Sequence, residues 1–252
     1  MILIIFLLGL LIGSFLNVCV YRIPRDESIS YPPSHCTNCK NRIKSYDLIP
    51  VISYIFLRGK CRYCGEKISI KYPIIELFTG VLFLGLYYKY GATLDLAKFL
   101  ILSPYLIVIG LIDFNTTDVY FKTTLSGLLI GLAFLGVNLY KGDPISTYLI
   151  GALIGGGFIA IIILLTGGMG WGDAEICAIC GIFLGVKLTI LTLLTSVILG
   201  GAIGALLILT KRKTRKDYIP FGPYIVIAAL ISLFWGSNII DWYLKYTFIN
   251  II

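Results

Sequence analysis

The chain has 252 residues, 58% of them hydrophobic and only 13% charged, with a mean hydropathy of +0.92 and a net charge of +8. Soluble domains carry about a quarter of their residues as charges. This composition therefore excludes a water-soluble globular enzyme and indicates an all-α polytopic membrane protein whose solvent is the lipid bilayer. The basic residues flank apolar runs and follow no groove-binding motif, so the positive charge reads as topological and excludes nucleic acid as a partner.

A bilayer core takes about 20 apolar residues of helix. The first run, 2–20, could be taken for a secretion signal, but it lacks a basic leading region. "VCVYRIPRD" also offers no small-x-small cleavage site, so the run reads as a retained helix. Further runs lie at 74–88, 96–112, 123–139, 146–166, 188–210 and 218–236. A shorter one at 176–186, which by length would also suit a re-entrant segment, brings the expected total to about eight transmembrane helices. The expected organisation is a first helix over 1–20, a polar loop domain over 21–72, and a seven-helix membrane domain over 73–252.

Residues 21–72 hold ten Lys and Arg, and "KRKTRK" at 211–216 holds five more, so the positive-inside rule puts both stretches in the cytoplasm. Eight spans place these two loops on one side, whereas seven would separate them. The same count puts the loops 113–122 and 167–173 on the cytoplasmic side and both chain ends outside.

Within the loop 21–72, "CTNC" (Cys36, Cys39) and "CRYC" (Cys61, Cys64) form two CxxC knuckles with 21 residues between them. Four thiolates at this spacing suit a structural tetrahedral Zn2+ that staples a domain too small for its own core. An iron–sulfur cluster uses the same ligands, while disulfides are disfavoured on a reducing cytoplasmic face. His35, the one histidine, reads as a loop residue beside Cys36. Cys177 and Cys180 repeat the CxxC spacing, but inside an apolar run with Ala174 and Ala178, where small residues usually let helices pack closely.

A single histidine excludes the HExxH zinc proteases and the Ser-His-Asp triad. Carboxylates remain. Asp113, in "GLIDFNTTDVY", closes the third span, and Asp173, in "GGMGWGDAEI", opens the sixth. Ionisable groups at such depth are costly and mark function by default. Each has a plainer alternative, helix-end solvation for Asp113 and N-terminal capping for Asp173. As a pair at one membrane level, two aspartates can share a proton, one acting as base toward a water while its protonated partner polarises a scissile carbonyl. Gly168, Gly170 and Gly172, lacking Cβ atoms, would let an extended substrate backbone or a facing helix approach Asp173. This chemistry hydrolyses a peptide bond at the membrane surface.

"GMGWGD" resembles the GxGD signature of the intramembrane aspartyl proteases, specifically the type IV prepilin peptidases of bacteria. The likeness extends over "GSFLNVCVYRIP" at 13–24, the cysteine-rich stretch 34–76 and "IPFGPYIVIAAL" at 219–230. It implies that Asp113 and Asp173 are the catalytic pair and Cys36, Cys39, Cys61 and Cys64 the zinc-type ligands. It further implies type IV prepilin or pseudopilin precursors as substrates, a place in the bacterial inner membrane, and N-methylation of the new N-terminus from S-adenosylmethionine. No nucleotide-binding loop is legible; "LIGGGFIA" at 153–160 reads as helix packing, and the loop 21–72 is the expected seat of methylation. Two departures stand out. Val119, Tyr120 and Phe121 occupy positions where members commonly have Ile or Leu, Pro, and Asp or Asn, leaving Asp118 as a rival to Asp113. Glu175 replaces the usual Lys.

A proton-coupled transporter using the aspartate pair as a relay is the competing class, but it predicts mid-span acids and an internal repeat of broken helices. A membrane anchor displaying the zinc loop leaves the aspartates unexplained.

Overall fold

The computed structural model describes residues 1–140, 144–214, 217 and 219–249. Among these the regular elements are all helices: α1 (Ile2–Arg22), α2 (Ile52–Phe56), α3 (Lys71–Tyr90), α4 (Leu94–Thr116), α5 (Phe121–Tyr140), α6 (Ser146–Thr166), α7 (Trp171–Leu209) and α8 (Gly222–Ile249), with two short 3-10 turns at Ile23–Arg25 and Ser45–Leu48. No strand occurs among the described residues, where only two isolated bridges are found, His35 with Arg42 and Lys60 with Lys67. Arg215 and Lys216, part of the second basic block, lie outside the described residues.

Six of these helices, α1 and α4 to α8, are long and apolar enough to cross a membrane. The difference from the eight expected spans has two physical causes. α3 coincides with the run at 74–88 but carries Lys71, Glu76 and Lys89, which lower its hydropathy. The runs at 176–186 and 188–210 lie end to end in α7, whose 39 residues are interrupted at Gly185, with φ 74° and ψ 175°. A continuous helix of that length would be about 58 Å long, roughly twice the hydrocarbon thickness. Gly185 supplies the break, in a backbone region open essentially to glycine alone.

The chain forms two compact units, Met1–Pro104 and Tyr105–Ile252. In the first, α1 lies directly on α3. A Cβ on Gly9 would sit 2.7 Å from Gly80 Cα, and one on Gly13 would sit 2.7 Å from Glu76 Cα. The two backbones therefore touch, the small-residue contact that substitutes for a hydrophobic drive in lipid. Asn17 strengthens it by donating to the carbonyls of Tyr72 and Gly13, each at 3.2 Å.

In the second unit α6 and α7 pack in the same way. A Cβ on Gly151 would meet Gly181 O at 2.9 Å, and one on Gly156 would meet Ala178 Cβ at 3.1 Å. Gly155 and Gly156 thus serve helix packing, as expected of this run, whereas a Cβ on Gly157 would meet nothing within 4 Å. Cys177 and Cys180 are buried in this seam at 1% and 0% exposure. Opposite it, α6 turns Leu153, Leu164 and Leu165 outward, each more than 70% exposed. A helix that is apolar on its outer face suits lipid as its solvent. α8 joins α7 through the Thr192–Ser232 hydroxyl pair at 3.0 Å.

Candidate active site

α4 ends where Thr117 adopts a left-handed conformation (φ 61°) and donates its N–H to Asp113 O at 2.8 Å. This helix end carries Asp113 inward, 2% exposed. Its Oδ2 accepts the Gly222 N–H at 2.9 Å, so a residue 109 positions away anchors it at the first residue of α8. A Cβ on Gly222 would fall 2.5 Å from Asp113 Oδ2, so a side chain here would push the carboxylate or the start of α8 aside. The anchor is a helix N-terminus, whose free N–H groups and dipole favour an anionic partner.

Asp173 is the third residue of α7 and is 3% exposed. Its Oδ2 accepts the Gly170 N–H at 3.3 Å, so Asp173 caps the helix from its third position while Gly170 takes the N-cap place expected for the acid. Asp113 lies close enough for its charge to act on Asp173. Among the described residues the Oδ1 atom of neither aspartate has a protein hydrogen-bond donor. Two buried carboxylates thus share one locality, each held by one oxygen to a helix start, with the other oxygen available.

The three glycines part company. Gly170 caps α7 and bonds Asp173. Gly172 receives the side chain of Val119 against its backbone, so this glycine admits the loop after α4. A Cβ on Gly168 would meet only Thr166, leaving that stretch of backbone accessible. Asp118, the rival acid, is solvent-exposed and donates its own N–H to Thr116 Oγ1 at 3.3 Å. Glu175 is half-buried and accepts a hydrogen bond from the buried Thr124 hydroxyl, tying α7 to α5. The anchoring by Gly222 escaped sequence reasoning. "IPFGPYIVIAAL" marked the segment without a role for its glycine.

In the first unit, the Sγ atoms of Cys36, Cys39, Cys61 and Cys64 all lie within 4.8 Å of one another, and the cluster can hold a metal ion. The two knuckles are built alike. Cys36 N–H bonds Asn41 O at 3.0 Å and Cys61 N–H bonds Glu66 O at 2.7 Å. The tight turn needs a left-handed residue four positions after the first cysteine, Lys40 (φ 58°) and Gly65 (φ 73°). Cys36 and Cys64 Sγ stand 3.8 Å apart, the edge of a tetrahedron with a metal–sulfur bond of about 2.3 Å. Backbone hydrogen bonds from Cys64 and Tyr63 pull the Cys61 thiol down to about 7, while desolvation and the neighbouring cysteines push the Cys64 thiol up to about 11. Arg62 holds Asp47 through bonds of 2.8 and 2.6 Å and keeps its carboxyl below the usual range, bracing the second knuckle. His35 Nδ1 lies 3.1 Å from Pro33 O, consistent with a loop role.

Residues 7–90 match a family model described as the bacterial Peptidase A24 N-terminal domain, and residues 100–205 match that of the type IV leader peptidase family. A Bacillus subtilis (strain 168) protein is 35% identical over 246 residues, 96% of this chain and 97% of its own length. The chain belongs to the type IV leader peptidase family. A Pseudomonas putida relative is 34% identical, covering 92% of this chain and 90% of its own, and one from Legionella pneumophila is 33% identical, covering 98% and 95%. All three relatives are named prepilin leader peptidase/N-methyltransferase. No solved structure matches. The boundary between the matched family domains falls in the same region as the boundary between the two compact units of this leader peptidase.

Proposed function

We propose that this membrane protein is a prepilin leader peptidase that cleaves type IV prepilin-like precursors and methylates the new N-terminus, with Asp113 and Asp173 as its catalytic pair. The observation that carries the reading is the burial of these two acids within electrostatic reach of each other at helix ends. Two carboxylates that share one proton can divide the work. The ionised one takes a proton from water as its oxygen attacks the scissile carbonyl, while the protonated one donates a hydrogen bond to the carbonyl oxygen. Collapse of the tetrahedral intermediate breaks the C–N bond, and the leaving amine takes up a proton. Gly222 and Gly170 hold the carboxylates in place, so the reaction does not wait for them to reorient.

Cleavage exposes a primary amine, and S-adenosylmethionine supplies a methyl group on sulfonium sulfur that such an amine can accept. The count of basic residues supports a cytoplasmic location for the cysteine loop and for the loops bearing the aspartates. The four cysteines suit Zn2+, and with all four positions filled by protein the ion would be structural. Purified protein should then hold about one zinc per chain, and Cys61→Ser should lose both the metal and the order of the loop. Zinc content unchanged in that variant would reject the four-thiolate site.

The test is to incubate purified protein with a prepilin and S-adenosylmethionine and to weigh the products. The expected result is one cut just before the substrate's hydrophobic segment, followed by a mass gain of one methyl group on the amine. Cleaved product whose mass never shifts would restrict the protein to peptidase activity. An uncut precursor would reject the reading.

A further inference from the structure

The first unit contains a cavity of about 450 Å³ that reaches from Ser14 and Asn17 on α1 and Glu76 on α3 to the cysteine knuckles. That volume suits a ligand the size of a nucleoside-bearing amino acid. Its wall holds two buried groups of opposite charge, neither of which has an ion-pair partner among the described residues. Glu76 is 8% exposed and its Oε2 accepts the Val51 N–H at 2.7 Å. Its other neighbour is the Ser14 hydroxyl, and no cation pairs with it among the described residues. Arg22 is 5% exposed and donates one N–H each from Nη1 and Nη2 to the carbonyls of Ser28 (2.8 Å) and Pro32 (2.7 Å), which leaves further N–H groups and no carboxylate partner among the described residues.

A buried charge met only by neutral groups is costly, and one that lines a cavity gains most from an oppositely charged ligand. Tyr54 and Tyr72 line the same space and offer ring faces for a cation or a flat heterocycle. The wall thus asks for a molecule that is cationic at one end, carries a carboxylate, and presents an aromatic ring. S-adenosylmethionine has all three. The amine of a cleaved substrate, the other reactant of methylation, offers only the cation.

Resting on the methyltransferase reading above, we propose that this cavity is the methyl-donor site, with Glu76 facing the cationic part of S-adenosylmethionine and Arg22 its carboxylate. Glu76 is a binding residue of the first unit and has no part in the aspartate site of the second.

The experiment is equilibrium dialysis of radiolabelled S-adenosylmethionine against the purified, zinc-loaded full chain, paired with ultraviolet cross-linking and peptide mapping. Glu76→Gln keeps an acceptor for the Val51 N–H and removes the charge. It should weaken binding about tenfold or more, while zinc content reports that the loop is folded. In the unmutated protein, where folding is not in question, the cross-link should map to peptides within residues 1–104. Label confined to residues 105–252, or undiminished binding by Glu76→Gln, would overturn the placement and leave the methyltransferase reading intact. Displacement of the label by a peptide bearing a cleaved substrate's N-terminus would show an acceptor site and also overturn it. Absence of any binding by the unmutated protein would sink the methyltransferase reading itself.

Discussion

Asp173→Asn should lower the rate of prepilin cleavage by on the order of 10³ or more while the protein remains folded and keeps its metal. The amide has nearly the carboxylate's size and retains an oxygen to accept the Gly170 N–H, so the start of α7 loses little. What it loses is the ability to exchange a proton with water. The same reasoning predicts a bell-shaped dependence of cleavage on pH, because the singly protonated pair is the working form. Both limbs would report properties of the pair together. A capping role alone for Asp173 predicts a mildly less stable protein with near-normal turnover, and that outcome would reduce this residue to a structural one.

Gly222→Ala should be nearly as damaging to catalysis, although residue 222 does no chemistry. The added methyl group would fall 2.5 Å from Asp113 Oδ2, closer than any real contact allows. Asp113 must then swing away or α8 must shift its first turn, and either movement displaces the carboxylate from a reacting water. Misplacement of this kind by about 1 Å costs about 10²-fold in rate. Gly201→Ala is the matched control, since a Cβ there meets nothing within 4 Å. The loss should appear in kcat at unchanged zinc content. Equal rates for the two alanine variants would show that the Asp113–Gly222 contact does not position the acid.

Much of this site is legible along the chain, for reasons that are local. Four cysteines in two knuckles announce a metal cluster because the ligand spacing lies within each turn. Asp113 and Asp173 stand out because an acid at the end of an apolar run is expensive. The helix packing of Gly155 and Gly156 is likewise a matter of small residues in a greasy run. What is not legible depends on contacts far apart in sequence. Gly222 looks like part of a turn before a helix until its N–H is seen on an acid 109 residues earlier. Gly172 reads as space for a substrate or a facing helix, yet the side chain of Val119, in the loop after α4, lies against it. Glu76 hides in a hydrophobic run, and only the fold of the cysteine loop brings the Val51 N–H to it. Span counting is ambiguous for a related reason. Hydropathy measures length and composition; it separates the runs 176–186 and 188–210 but does not register that they join in one 39-residue helix interrupted at Gly185.

The most direct measurement of the central claim compares Asp113→Asn with Asp118→Asn in the same cleavage assay. Asp113 is buried, anchored by Gly222 and within electrostatic reach of Asp173, whereas Asp118 is exposed at the loop beyond α4. The account predicts that Asp113→Asn abolishes measurable cleavage and that Asp118→Asn leaves the rate within a few-fold of the unmutated protein. Full activity in Asp113→Asn with loss in Asp118→Asn would contradict it and show that Asp173 works with the other acid.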